Sequence, residues 1–280
     1  MPYPIIDALA GNRIAVDGQL IAVDAPEAGP LFQPQDARMY YEVIRVVQGV
    51  PLFLEDHLQR LVRSVAGAFA IPGPLERESR DLIRANGLSD ANLRLVLTDR
   101  TRVLHLTPSY YPDVRTIEQG VVTGILAWER QDPNTKIIHA DYKAAVAERF
   151  ARPGPFGPCS ELLLADRQGY LTEGSRSNLF FIKGNSVISA PDDRILLGIT
   201  RRYVTQAIRE TGLELAIDLL TMNDIQSRGI QTSFLSGSPI DLLPIRAIED
   251  LAQTSADDPV FKRLYAVYMQ IVQDYIDSHR

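Results

Sequence analysis

The run Glu173-Gly174-Ser175-Arg176-Ser177-Asn178 sets one carboxylate ahead of small and polar residues. Small residues let a backbone approach a planar ligand closely, and Ser and Asn supply short donors. A carboxylate beside such a platform could pair with a protonated ring nitrogen, the pairing a pyridoxal cofactor needs to act as an electron sink. Taken alone, the run is equally a polar turn between two strands. Gly198-Ile199-Thr200-Arg201 has the same double character. It is either an ordinary helix start or an anion site, where free N–H groups and the helix dipole point at one ligand. Ser236-Gly237-Ser238-Pro239 ends another strand-like run and adds N–H and hydroxyl donors. Together, the carboxylate and the two donor-rich turns suggest a phosphorylated cofactor.

The elements that would carry these residues follow from periodicity. Tyr40 to Val47 reads as a strand, Gln48-Gly49 as its turn, and Val50 to Leu54 as the return strand. A helix follows from about Glu55, with Leu58, Leu61, Val62, Val65, Ala66 and Phe69 on one stripe, and Pro72-Gly73-Pro74 stops it. A shorter helix is expected over Leu75 to Ala85, then strands over Leu93 to Thr98 and Arg102 to Thr107. Past Pro112, strand-like Val121 to Trp128 precedes a helical Ala140 to Phe150, with further strands at Leu162 to Ala165, Leu179 to Ile182 and Ser186 to Ser189. Helices are expected again over Ile199 to Glu210 and Pro259 to Ile276. Strands and helices mix without a regular βαβ rhythm, which predicts an α+β fold. The expected division is a smaller domain over 1–112, a linker over 113–120 and a larger domain over 121–280 carrying the cofactor lysine and phosphate site.

Composition narrows the partners. A chain of 280 residues with a net charge of -6 and no clustered Lys and Arg face argues against nucleic acid. No apolar run approaches a membrane span, and Met1-Pro2-Tyr3-Pro4-Ile5 lacks the marks of a signal peptide, so a cytoplasmic protein is expected. Cys159 is the only cysteine, which leaves no disulfide within one chain. His57, His105 and His139 have no spacing that suggests metal, and none is expected.

The ordered set of motifs looks like the fold type IV pyridoxal-phosphate enzymes, which include branched-chain and D-amino-acid aminotransferases and aminodeoxychorismate lyase. It runs from Tyr41-Glu42-Val43-Ile44-Arg45 and His57-Leu58-Gln59-Arg60-Leu61 through Glu173 to Asn178 and Leu197 to Arg201, to Leu235-Ser236-Gly237-Ser238. The resemblance implies a two-domain α+β fold of that type, pyridoxal 5'-phosphate as cofactor, and a homodimer. It makes Lys136, after the Pro-containing turn Asp132 to Thr135, the cofactor-linking and proton-shuttling lysine, with Lys143 as the alternative. Glu173 corresponds to the partner of the ring nitrogen, with Ser177 and Asn178 beside the cofactor. Arg60 corresponds to a phosphate ligand helped by Ile199, Thr200 and Ser238. Tyr41 lines the substrate pocket, and Arg94 is either near the substrate carboxylate or an outward charge on its strand. The implied reaction is amino transfer between an amino acid, branched-chain-like or D, and a 2-oxo acid. A lyase of the aminodeoxychorismate type and a non-catalytic relative are the alternatives.

Overall fold

The computed structural model describes residues 2–69, 71, 73–109, 111–137 and 140–280. Pro72 and His139, both used above, lie outside the described residues. The chain divides into two compact units: 1–110 with 135–140 and 272–280, and 111–134 with 141–271.

The first unit is a six-stranded antiparallel sheet with two helices. Its elements are β1 (Arg13–Val16), β2 (Gln19–Ala22), β3 (Tyr40–Val47), β4 (Val50–Pro51), α1 (Leu54–Val65), α2 (Leu75–Asn86), β5 (Ala91–Leu97) and β6 (Arg102–Thr107). The strand order is β2-β1-β6-β5-β3-β4. Period-two alternation on β3 sends Tyr40, Ile44 and Val46 to one face, where they meet Leu93, Leu95 and Leu97 of β5 and Leu61 and Val65 of α1. Each such aliphatic side chain contributes about 1.5–3 kcal/mol by leaving water, so this face fixes the register. Gly87, with φ of 64°, closes α2 in the left-handed region that favours glycine.

The second unit is built on a nine-stranded sheet that closes on itself. It comprises α3 (Val114–Gln119), β7 (Val121–Ala127), α4 (Ala140–Phe150, from Asp141 on), β8 (Glu161–Ala165), β9 (Leu171–Gly174), β10 (Asn178–Lys183) and β11 (Ser186–Ser189). Then come α5 (Ile199–Glu210), β12 (Glu214–Ile217), α6 (Met222–Ser227), β13 (Thr232–Gly237), β14 (Asp241–Ile248), β15 (Leu251–Ala252) and α7 (Pro259–Ser278). Strand β9 pairs with both β8 and β10, so the path β10-β13-β14-β7-β8-β9 forms a closed ring, extended by β11 and β12. Leu163, Leu179, Phe181, Leu235, Leu243 and Ile245 fill its core.

Three expectations about the division change. Residues 113–120 are not a linker: Asp113 accepts a hydrogen bond from the Thr116 amide at 2.7 Å, capping α3, which belongs to the second unit. Residues 135–140, with Lys136, group with the first unit, because Tyr40 bridges to Ile137 and Ile137 joins that unit's core. The end of α7 also joins it, through Tyr275, whose ring lies 4.8 Å from that of Phe53 and whose hydroxyl donates to Glu55.

Candidate active site

In the first unit, the alternation of β3 puts one carboxylate on the core face: Glu42, 0% exposed between Tyr40 and Ile44. A buried charge survives only with partners. Helix α1 supplies them from residues three apart, His57 and Arg60, which share a helix face. Arg60 donates from Nε to Oε1 at 2.7 Å and from Nη2 to Oε2 at 2.6 Å, a forked pairing, and His57 Nδ1 lies 2.8 Å from Oε2. Burial alone would raise the Glu42 pKa, but Arg60, Lys136 and His57 together hold it well below the carboxylate range. Burial pushes His57 the other way, down, with Glu42 opposing.

Lys136 reaches this group through the backbone. Its carbonyl accepts from the Tyr41 amide at 3.3 Å, and its Nζ lies 5.1 Å from the Tyr41 ring centre. Its charge acts on both Glu42 and His57. Lys136 is half-buried, whereas Lys143 is exposed on α4. Arg94 is the other cation over the Tyr41 ring, at 5.6 Å, and it pairs with Asp7. The register opposes Arg94 to Val43 and His105, so it sits on the sheet face away from Glu42 and Arg60. Of the residues expected here, Arg60 and Lys136 act on Glu42, and Tyr41, on the other face of β3, has Lys136 and Arg94 over its ring.

In the second unit, pairing aligns Glu173 of β9, Asn178 of β10 and Ser236 of β13 in one row across three strands. Glu173 is 2% exposed; its Oε2 accepts from the Leu196 amide at 3.0 Å and its Oε1 lies 2.6 Å from Arg130 Nε. Burial prevails and leaves its pKa above the ordinary carboxylate value; Arg130 and the Leu196 amide limit the rise, and Glu161 adds to it. Asn178 donates to the Leu196 carbonyl at 2.8 Å. Leu196 is thus held from both sides, and two residues later Gly198 opens α5 with no side-chain cap. The first amides of that helix, including Ile199 and Thr200, have no carbonyl of their own helix to bond. A side chain at 198 would put Cβ 2.2 Å from Asn178 Oδ1 and force that amide to move. Ser238 is half-buried just past β13.

The small residues after Glu173 are arranged differently from expectation. Ser175 and Ser177 both donate to Glu161, the latter at 3.0 Å, so the Ser177 hydroxyl is spent on the turn itself. The groups present still suit a phosphorylated pyridine. A buried carboxylate matches a ring nitrogen, and the uncapped start of α5 matches a phosphate. Ser236 Oγ is buried with no partner among the described residues, an added donor in the same row. Sequence reasoning missed Glu42, His57, Glu161 and Arg130. Glu42 had a signal, a carboxylate on the apolar face of an alternating strand; Arg130 had none.

A family profile described as "Amino-transferase class IV" matches residues 39–248. This chain belongs to the class IV aminotransferases. It is therefore a pyridoxal-phosphate enzyme of the aminotransferase type. Among related sequences is the branched-chain-amino-acid aminotransferase of Salmonella typhimurium, 26% identical over 241 residues, covering 76% of each chain. The branched-chain amino acid aminotransferase of Escherichia coli has the same fold, with a TM-score of 0.76 at 22% identity over 94% of both chains. The branched-chain aminotransferase of Thermoproteus uzoniensis, solved with norvaline, gives a TM-score of 0.77 at 21% identity over 96% of this chain and 97% of that one. The α+β class and the fold type expected from the motifs are those of these aminotransferases. No described helix is long and apolar enough to cross a membrane.

Proposed function

We propose that this enzyme moves an amino group between a branched-chain-type amino acid and a 2-oxo acid, with Lys136 as its catalytic base. The observation that carries the reading is the setting of Lys136: half-buried, tied by its carbonyl to Tyr41 and with its amine over that ring. The sequence relatives named as branched-chain aminotransferases support the substrate class. Bound pyridoxal phosphate supplies the electron sink for a carbanion at the substrate α-carbon. In this reading the Lys136 amine would take the substrate α-proton and hold it for return, the work of a general base and acid. Glu173 keeps a proton on the ring nitrogen by holding an opposite charge beside it. Arg60, the amides of Ile199 and Thr200, and Ser238 bind phosphate, and Asn178 holds the loop that delivers those amides. Tyr41 orients the substrate, and Arg94, already over the Tyr41 ring, attracts its carboxylate. A homodimer in the cytoplasm accompanies this reading on family grounds, and light scattering and cell fractionation test it.

Borohydride reduction of the holoenzyme followed by peptide mapping tests the lysine. Label on Lys136 is expected; label on Lys143, or on neither, sinks the assignment. L-Leucine and D-alanine are then compared as donors with 2-oxoglutarate as acceptor. Faster turnover of L-leucine is expected. Preference for D-alanine would overturn the substrate class, and keto acid formed without any acceptor would make the enzyme a lyase.

A further inference from the structure

Beyond the residues assigned above, we propose that Arg130 is a positioning residue that keeps Glu173 ionised and aimed, and that Tyr142 is the platform holding Arg130 in place. The proposal rests on Glu173 being the ring-nitrogen partner.

A carboxylate as buried as Glu173 is disfavoured in its charged form, and the nearby Glu161 carboxylate makes this worse. A neutral Glu173 offers no charge to a protonated ring nitrogen. Two groups among the described residues oppose the burial and limit the rise. The Leu196 amide provides one hydrogen bond, and Arg130 Nε, 2.6 Å from Oε1, provides the full positive charge.

The guanidinium is held at three points. Its Nε meets Glu173, its Cζ lies 5.1 Å over the Tyr142 ring, and its Nη2 donates to the Ser175 carbonyl at 3.4 Å. The Tyr142 hydroxyl donates to the same carbonyl at 2.8 Å, and Trp128 packs its ring 5.2 Å from that of Tyr142. Ser175 lies two residues after Glu173, so one tyrosine fixes both the cation and the turn that follows the carboxylate. A planar, permanently charged fork suits this arrangement; an ammonium has neither the second donor in the plane nor the face for stacking.

The test uses Arg130→Gln, Arg130→Lys, Tyr142→Phe and, as reference, Glu173→Gln. The Glu173 carboxyl is followed by infrared titration of the holoenzyme, its band assigned by its loss in Glu173→Gln. Cofactor affinity is measured by fluorescence titration with pyridoxal phosphate. Removing the cation favours the neutral acid, so in Arg130→Gln the Glu173 carboxyl should stay protonated to a pH at least one unit higher than in wild type. Affinity for pyridoxal phosphate should fall tenfold or more. Arg130→Lys should recover part of both effects, and Tyr142→Phe should move both in the same direction by less. A folded Arg130→Gln enzyme with wild-type titration and affinity overturns the proposal. If that variant does not fold, wild-type behaviour in Tyr142→Phe and Arg130→Lys does the same. Failure of the underlying reading is distinct: then Glu173→Gln itself leaves cofactor affinity unchanged.

Discussion

His105 offers the sharpest test of the buried electrostatics. It is 0% exposed on β6, opposite Arg94, and neither ring nitrogen has a hydrogen-bond partner among the described residues. Burial, aided by the Arg94 charge, pushes its pKa from 6.5 down to about 3. The folded protein therefore refuses a proton that the unfolded chain accepts below pH 6.5, and stability is lost as pH falls from there toward the folded value. Between 6.5 and about 3 the whole loss is about 5 kcal/mol, at roughly 1.4 kcal/mol per unit. At pH 5 only about 1.5 of those units have been crossed, or roughly 2 kcal/mol. Leucine at this position has no proton to accept and no ring nitrogen to leave unpaired. His105→Leu should be more stable than wild type by about 1–3 kcal/mol at neutral pH, less any packing loss. Urea unfolding of both proteins at pH 7 and pH 5 measures the difference, and every other titrating group cancels in it. The advantage of His105→Leu should widen by about 2 kcal/mol at the lower pH. A gap of constant size would mean that the ring is satisfied or charged in the folded protein, and the reasoning would fail.

Two substitutions test the framework around the cofactor residues. Glu42→Gln leaves Arg60 buried without its counter-charge and should cost about 3–5 kcal/mol in urea unfolding at neutral pH. The Glu42 pKa is lowered in the fold, so its contribution is whole above the unfolded carboxylate range and fades as pH drops through it. The penalty of Glu42→Gln should therefore shrink in acid, and an unchanged penalty there would argue against an ionised Glu42. Gly198→Ala forces its Cβ against Asn178 Oδ1, 2.2 Å away, and should displace the start of α5. Affinity for pyridoxal phosphate should fall about tenfold, or about 1.4 kcal/mol, with recovery when Asn178→Ala is added. An Ala at 198 without effect would remove the helix start from the cofactor site.

Much of the fold was legible because burial on one face leaves a periodic trace. Strand β3 and helix α1 were readable from Tyr40, Ile44 and Val46 at period two and from Leu61 and Val65 on a helical stripe. The β1–β2 hairpin carried a signal that went unused: Asp17-Gly18, with φ of 51° and 88°, is the dipeptide a tight hairpin turn prefers. The misread linker also carried one, since Asp113 is a residue type favoured at the N-cap and stands directly ahead of α3. Strand β9 was hidden for a different reason. Its Glu173 and Gly174 look like a turn, and they become strand only because β8 and β10 pair on either side and close the ring. No local pattern encodes a closure of that kind.

The same division runs through the site. Motifs that are contiguous in sequence, from Glu173 to Asn178 and from Gly198 to Thr200, were found because each is one turn or one helix start. What joins them is Leu196, donating to Glu173 and accepting from Asn178, and backbone groups carry no residue-type signal. Glu42 could have been found as the one charge on an apolar strand face, with His57 and Arg60 at helical spacing as its partners. Arg130 could not, because a lone arginine in a polar loop looks the same whether it faces water or a buried carboxylate. Its role becomes visible only when β9 places Glu173 out of reach of solvent, so that the missing counter-charge has to come from somewhere. A buried acid in a predicted site therefore implies a cation elsewhere in the chain, and here it lies 43 positions before the acid it serves.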